Sequence, residues 1–102
     1  MAELLLDFKE VTENEIIEVK AWRVPKSKEY PEGINYRMAF IRDGKRILGY
    51  DNNTFEGHHK HFFGRKTQIT FTSLEQLFSQ FMEEVKTIRG GKHENEGQDS
   101  TY

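Results

Sequence analysis

The run GHHKHFFGRK, residues 57–66, holds three of the chain's four histidines, with two phenylalanines, three cations and no acid. Imidazole titrates near pH ~6.5 and can take or give a proton at neutral pH. Cleavage of an RNA phosphodiester without metal needs a base for the 2′-hydroxyl, an acid for the leaving oxygen and cations for the charge on the phosphate. His58, His59 and His61 offer the acid and base, and Lys60, Arg65 and Lys66 offer the cations. An arginine can grip phosphate through two parallel hydrogen bonds. Phe62, Phe63 or Tyr50 could stack a base. Asp51 could orient a histidine by accepting its other ring proton, or could simply end a strand and start a turn.

Two other chemistries use the same residue types. His59 and His61 form an H-x-H pair, and in an extended segment both rings point one way. Joined by Asp51 or His58, they would make a three-ligand zinc or manganese site. Against that stand Lys60 and Arg65, which repel a dication, and a cluster that is local in sequence. Nucleophilic catalysis lacks a candidate: there is no cysteine, and no serine sits in a recognisable elbow. A polar loop with no chemistry is an equally economical account of residue content alone. The acid–base reading needs no cofactor.

The elements that must carry this run are legible around it. Residues 3–11 and 16–25 are strand-like, the second stopping at Pro25, which cannot donate to a ladder. Asp43-Gly44 between two β-rich runs signals a hairpin with a two-residue type I′ turn. An unbroken register from that turn sets Arg42 opposite Lys45, Phe40 opposite Ile47, Met38 opposite Gly49 and Tyr36 opposite Asp51. Met38, Phe40 and Ile47 then read as core. Arg37, Arg46 and Tyr50 share the other face with aliphatics, which is how a half-open face reads. This gives Arg37 and Arg46 a place beside the histidine loop as substrate contacts. Residues 52–66 read as irregular, and residues 67–71 as a short strand.

The helix signal is the fullest. Ser73 with Gln76 makes a capping box, and Leu74, Leu77, Phe78, Phe81, Met82, Val85 and Ile88 form one apolar stripe. Gly90 supplies a left-handed stop. The expected architecture is α+β and two-layered, with an antiparallel sheet of about five strands packed on one C-terminal helix. Residues 1–89 form a single domain, and residues 90–102, GGKHENEGQDSTY, a disordered polar tail.

The net charge of −2 is unevenly spread. Residues 1–18 carry six acids and one lysine, whereas residues 20–46 carry eight cations and three acids. A basic centre suits phosphate, although alternating charge on solvated strands would look similar. No apolar run is long enough to span a membrane, and the N-terminus lacks the basic start of a secretory signal. The expected location is the cytoplasm. Trp22 and the N-terminal leucines offer either edge cover or a homodimer interface, between which the sequence does not choose.

Three blocks resemble one family. YRMAFIRDGKRILGYDN, GHHKHFFGR and FTSLEQLFSQFMEEV, with Trp22-Arg23 upstream, are similar to the TumE-like toxins of prokaryotic toxin–antitoxin modules. The matching elements are Tyr50-Asp51-Asn52, the glycine-led histidine loop from Gly57 to His61, Gly64-Arg65 and the helix start at Ser73. The resemblance implies a growth-inhibiting cytoplasmic toxin held by a cognate antitoxin, often a helix-turn-helix DNA-binding protein. The RNA chemistry comes from the residues. A non-catalytic RNA- or protein-binding module and a metal-dependent hydrolase are the alternatives.

The tail carries nothing apolar before Tyr102. A chain ending at Gly91 is expected to melt at the same temperature as the full chain in a thermal denaturation scan, and a large fall would show that the tail packs.

Overall fold

Alternation decides the sheet. In the second strand, Ile17, Val19 and Ala21 are buried while the residues between them are only partly covered, as a strand with one apolar face requires. The computed structural model describes residues 2–52 and 57–91. Its strands are β1 (Glu3–Val11), β2 (Glu15–Arg23), β3 (Ile34–Arg42), β4 (Lys45–Asp51), β5 (His59–Phe62) and β6 (Arg65–Gln68), followed by helix α1 (Leu74–Arg89). The strands form one antiparallel meander in chain order. The class is therefore α+β, as expected, but with six strands where about five were expected. The chain divides into two units, Met1–Phe71 with the sheet and Thr72–Tyr102 with the helix. Residues 92–102, most of the expected disordered tail, lie outside the described residues.

The extra strand comes from the histidine run. The irregular segment expected over residues 52–66, of which 53–56 lie outside the described residues, instead contains His59–Phe62, which pairs with β4 on one side and with Arg65–Gln68 on the other. The turn between β5 and β6 is Phe63-Gly64, with φ of 49° and 82°. Both central residues take positive φ, as at Asp43-Gly44 (52° and 78°), which is the demand of a tight hairpin. Phenylalanine is an unusual occupant of that region, and this hides the hairpin in the sequence. The strand expected at residues 67–71 is accordingly shifted back to Arg65–Gln68.

The β3–β4 hairpin has the expected turn but not the expected register. Arg42 pairs with Lys45 and Ile41 with Arg46, but Phe40 then pairs with Leu48. Ile47 is the extra residue of a β-bulge. Beyond it every pair is displaced by one: Ala39 meets Gly49, Met38 meets Tyr50 and Arg37 meets Asp51. A shift of one residue exchanges the faces. Leu48 and Tyr50, expected on the open face, are fully buried with Phe40, Met38 and Ile17, and Asp51 turns to the opposite side.

One further side chain fastens this hairpin. Asn52 is buried, donates from Nδ2 to the carbonyl of Ile34 at 2.8 Å and accepts from the amide of Tyr36 at 3.0 Å. It thus satisfies two β3 backbone groups where β4 has ended.

In α1 the Ser73 half of the expected capping box is present, with Ser73 accepting from the Gln76 amide at 3.1 Å, while the Gln76 side chain accepts from the Thr72 hydroxyl. The left-handed stop falls one residue later, at Gly91 (φ 77°), while Gly90 remains right-handed (φ −76°). Leu77, Phe81, Val85 and Ile88 are buried. Since Phe81 is fully covered, Phe81→Ala is expected to lower stability by roughly 3–5 kcal/mol in urea or thermal denaturation.

Candidate active site

The bulge in β4 and the short β5 together build the site. Asp51 pairs directly with His59, and Gly49 with His61. Directly opposed residues share a face, as do residues two apart on one strand. Asp51, His59 and His61 therefore gather on one face, with Gly49 leaving space among them. Two cross-strand rows run over this face. One is Asp7, Lys20, Arg37, Asp51, His59 and Gln68; the other is Lys9, Glu18, Ala39, Gly49, His61 and Lys66. At the β1 end charges meet in surface pairs, Lys20 with Asp7 at 3.6 Å and Lys9 with Glu18 at 4.0 Å, contacts of little energetic weight. The other end carries the histidines.

One carboxylate serves both rings. Asp51 Oδ1 stands 3.0 Å from His59 Nε2, and Oδ2 stands 3.5 Å from His61 Nε2. The rings lie 5.2 Å apart, edge to face. His59 is buried, while Asp51 and His61 are partly exposed. His59 Nδ1 donates to the carbonyl of Gly57 at 2.9 Å. Both nitrogens of His59 thus face acceptors, and the doubly protonated ring can donate to both at once. Gly57 holds φ at 80°, a conformation that favours glycine, and so aims its carbonyl back at the ring. His61 is placed differently. Burial, and then the positive charge of Arg46, hold its pKa below the ordinary histidine range; Asp51 opposes this, and His59 and Lys66 reinforce it.

Arg46 is positioned by the same gap at Gly49. A Cβ there would stand 3.0 Å from Arg46 Cδ and 3.3 Å from Nε. The arginine lies over the glycine and reaches toward His61. Arg37, opposite Asp51, is exposed on the same face. Lys66 pairs directly with His61.

Other residues named from the sequence lie elsewhere. Lys60 and Arg65 share a face with Phe62, Leu48 and Tyr50, on the opposite side of the sheet from His59 and His61. Lys60 Nζ sits 5.5 Å from the centre of the Phe62 ring, and Tyr50 is fully buried. His58 is also separate. Its Nδ1 accepts from the Tyr36 hydroxyl at 2.9 Å, its Nε2 lies 3.0 Å from Glu32 Oε2, and its ring stacks on Phe71 at 4.7 Å. Burial, then Asp51 and Glu32, raise the Tyr36 pKa, so the phenol keeps its proton and remains the donor. Sequence reasoning did not reach the roles of Gly49 and of the Gly57 carbonyl. Only the displaced register brings Gly49 opposite His61, and backbone acceptors leave no trace in side-chain chemistry.

The family model of the toxin TumE matches residues 1–89. The chain belongs to the TumE toxin family. A TumE-family chain is the toxin of a toxin–antitoxin module, and its partner is a cognate antitoxin. No curated protein and no solved structure matches it. Among the described residues of this toxin, no helix is long and apolar enough to cross a membrane.

The electrostatics predict a titration. Followed by NMR of the ring protons in chelator, His61 is expected to lose its proton below pH ~6.5. Arg46→Ala removes a charge that disfavours the imidazolium, so the midpoint rises. Asp51→Asn removes one that favours it, so the midpoint falls. An unmoved midpoint in Arg46→Ala would exclude the contact between Arg46 and His61.

Proposed function

We propose that this TumE-family toxin is a metal-independent ribonuclease in which His61 is the general base and His59 the general acid. His61 takes the proton of the RNA 2′-hydroxyl. The 2′-oxygen attacks phosphorus, the bond to the 5′-oxygen breaks, and His59 gives the leaving oxygen the Nε2 proton, which leaves its hydrogen bond to Asp51. The products are a 2′,3′-cyclic phosphate and a free 5′-hydroxyl. Asp51 orients His59 through the 3.0 Å contact. Arg46 and Lys66, beside His61, offset the charge gathering on the phosphate oxygens. Arg37 extends the cationic surface along the same face.

The observation that carries this reading is the unlike setting of two adjacent imidazoles. One faces an acceptor from each ring nitrogen, whereas the other shares the carboxylate with two neighbouring cations. A matched acid and base need that division. On this reading the toxin works in the cytoplasm, where RNA is plentiful, and its antitoxin is a helix-turn-helix DNA-binding protein.

His59→Ala and His61→Ala are each expected to lower RNA cleavage by about 10²–10⁴-fold and to abolish toxicity, with circular dichroism unchanged. Asp51→Asn should weaken activity less, since it orients and does not transfer protons. Lys66→Ala should be more damaging than Arg65→Ala, because the two side chains leave opposite faces of the sheet. The rate should follow a bell-shaped pH profile in chelator. The acid limb should lie below pH ~6.5 and move to higher pH in Arg46→Ala. Retained cleavage in His61→Ala, or products with a 3′-hydroxyl and a 5′-phosphate, would refute the mechanism.

A further inference from the structure

The same face brings three donor atoms of two kinds to one point. One ligand atom each from Asp51, His59 and His61 lie within 4.8 Å of one another, and the Nε2 atoms are those nearest the two carboxylate oxygens. The separations of 3.0 Å and 3.5 Å from the carboxylate to the two rings are those between neighbouring ligands of a small dication. Bonds of about 2.0–2.2 Å in octahedral to tetrahedral arrangements hold adjacent donors roughly 2.8–3.6 Å apart.

The surroundings of His59 match that role. A metal-binding imidazole usually donates its other ring N–H to a carbonyl or carboxylate, which fixes the tautomer and aims the free lone pair at the ion. His59 Nδ1 donates to the Gly57 carbonyl at 2.9 Å, leaving Nε2 on the side of Asp51 and His61. The repulsion that the sequence sets against metal also changes. Lys60 and Arg65 lie across the sheet from the cluster, leaving Arg37, Arg46 and Lys66 on its own face as the cations that temper binding.

We propose that Asp51, His59 and His61 also form a three-ligand site for a divalent transition-metal ion of the zinc class, and that the bound ion blocks the toxin. Two imidazoles and one carboxylate favour zinc, cobalt or nickel over magnesium and calcium, which prefer oxygen ligands. Binding rests on the donor geometry alone. The block rests on the acid–base reading above: a bound ion takes up both Nε2 atoms and the carboxylate, so neither ring can exchange a proton with RNA.

The test is a titration of the metal-stripped full chain with Zn²⁺ by calorimetry and with Co²⁺ by visible absorption. One ion per chain is expected, with a cobalt ligand-field spectrum and no response to Mg²⁺. His61→Gln and Asp51→Asn, checked for folding by circular dichroism, should each weaken binding at least ~10-fold, the loss that disturbing even an outer-shell partner can cause. A chain ending at Gly91, which lacks His93, should bind like the full chain. Saturating Zn²⁺ should stop RNA cleavage, and chelator should restore it. Absence of binding, or affinity unchanged in His61→Gln, would overturn the site. Faster cleavage with Zn²⁺ would overturn the block while leaving the site standing. No cleavage under any condition would defeat the ribonuclease reading and the block with it, and the titrations would still decide the site.

Discussion

A single extra residue in β4 governs the chemistry available to this fold. Ile47 has no partner of its own on β3, and from Leu48 onward β4 is turned over relative to an unbroken hairpin. Without that bulge, Asp51 would lie with Met38 and Phe40 on the buried face. A carboxylate there would need compensation that the apolar core does not supply. Tyr50 would instead lie on the open face. With the bulge, the tyrosine ring fills the core and the carboxylate emerges beside β5. The bulge thus settles a packing requirement and a site requirement in one step.

From that placement the electrostatics follow. Asp51 reaches His59 directly across the ladder and His61 along the diagonal, so one carboxylate contacts both rings. What separates the rings is their other neighbours. His59 has the Gly57 carbonyl behind it, whereas His61 has Arg46 and Lys66. Arg46 lies over Gly49, where a Cβ would crowd it at 3.0 Å from Cδ. The contrast therefore comes from a glycine on each of two segments: Gly57 turns a carbonyl inward, and Gly49 admits a guanidinium. The acid–base reading and the metal reading draw on the same three atoms, which makes the two uses mutually exclusive.

The sequence carried the fold further than it carried the site. Helix α1 is readable because an apolar stripe, a capping box and a terminal glycine pair all agree. The Asp43-Gly44 turn is readable because its residue types tolerate positive φ. The H-x-H spacing places two rings on one face as soon as their segment is extended. Register was not readable. A bulge adds one residue without a compositional mark, since Ile47 is as suitable for a regular strand as for a bulge. The β5–β6 hairpin is obscured for a similar reason, as Phe63 occupies a position where asparagine or glycine would announce the turn. These two hidden features decide which cations join the histidines. Hence Lys60 and Arg65, near His59 and His61 in sequence, lie across the sheet from them, while Arg46, far away in sequence, lies close.

The motif Tyr50-Asp51-Asn52 shows why proximity in sequence misleads here. Its three residues do three unrelated things. Tyr50 points down and is fully buried in the sheet core. Asp51 points up and contacts both site histidines. Asn52, past the end of the strand, replaces the missing ladder bonds to Ile34 and Tyr36 with its own amide. The hydroxyl of Tyr36 in turn holds His58, so the histidine that leaves the site is tied to the strand that Asn52 fastens. His58 and His59 are adjacent yet serve different structures, one tied to Tyr36 and Glu32 where the chain enters β5 and the other held between Asp51 and the Gly57 carbonyl. The pleat of the strand thus divides the histidine-rich run, turning His59 and His61 toward Asp51 and leaving His58 with Tyr36 and Glu32.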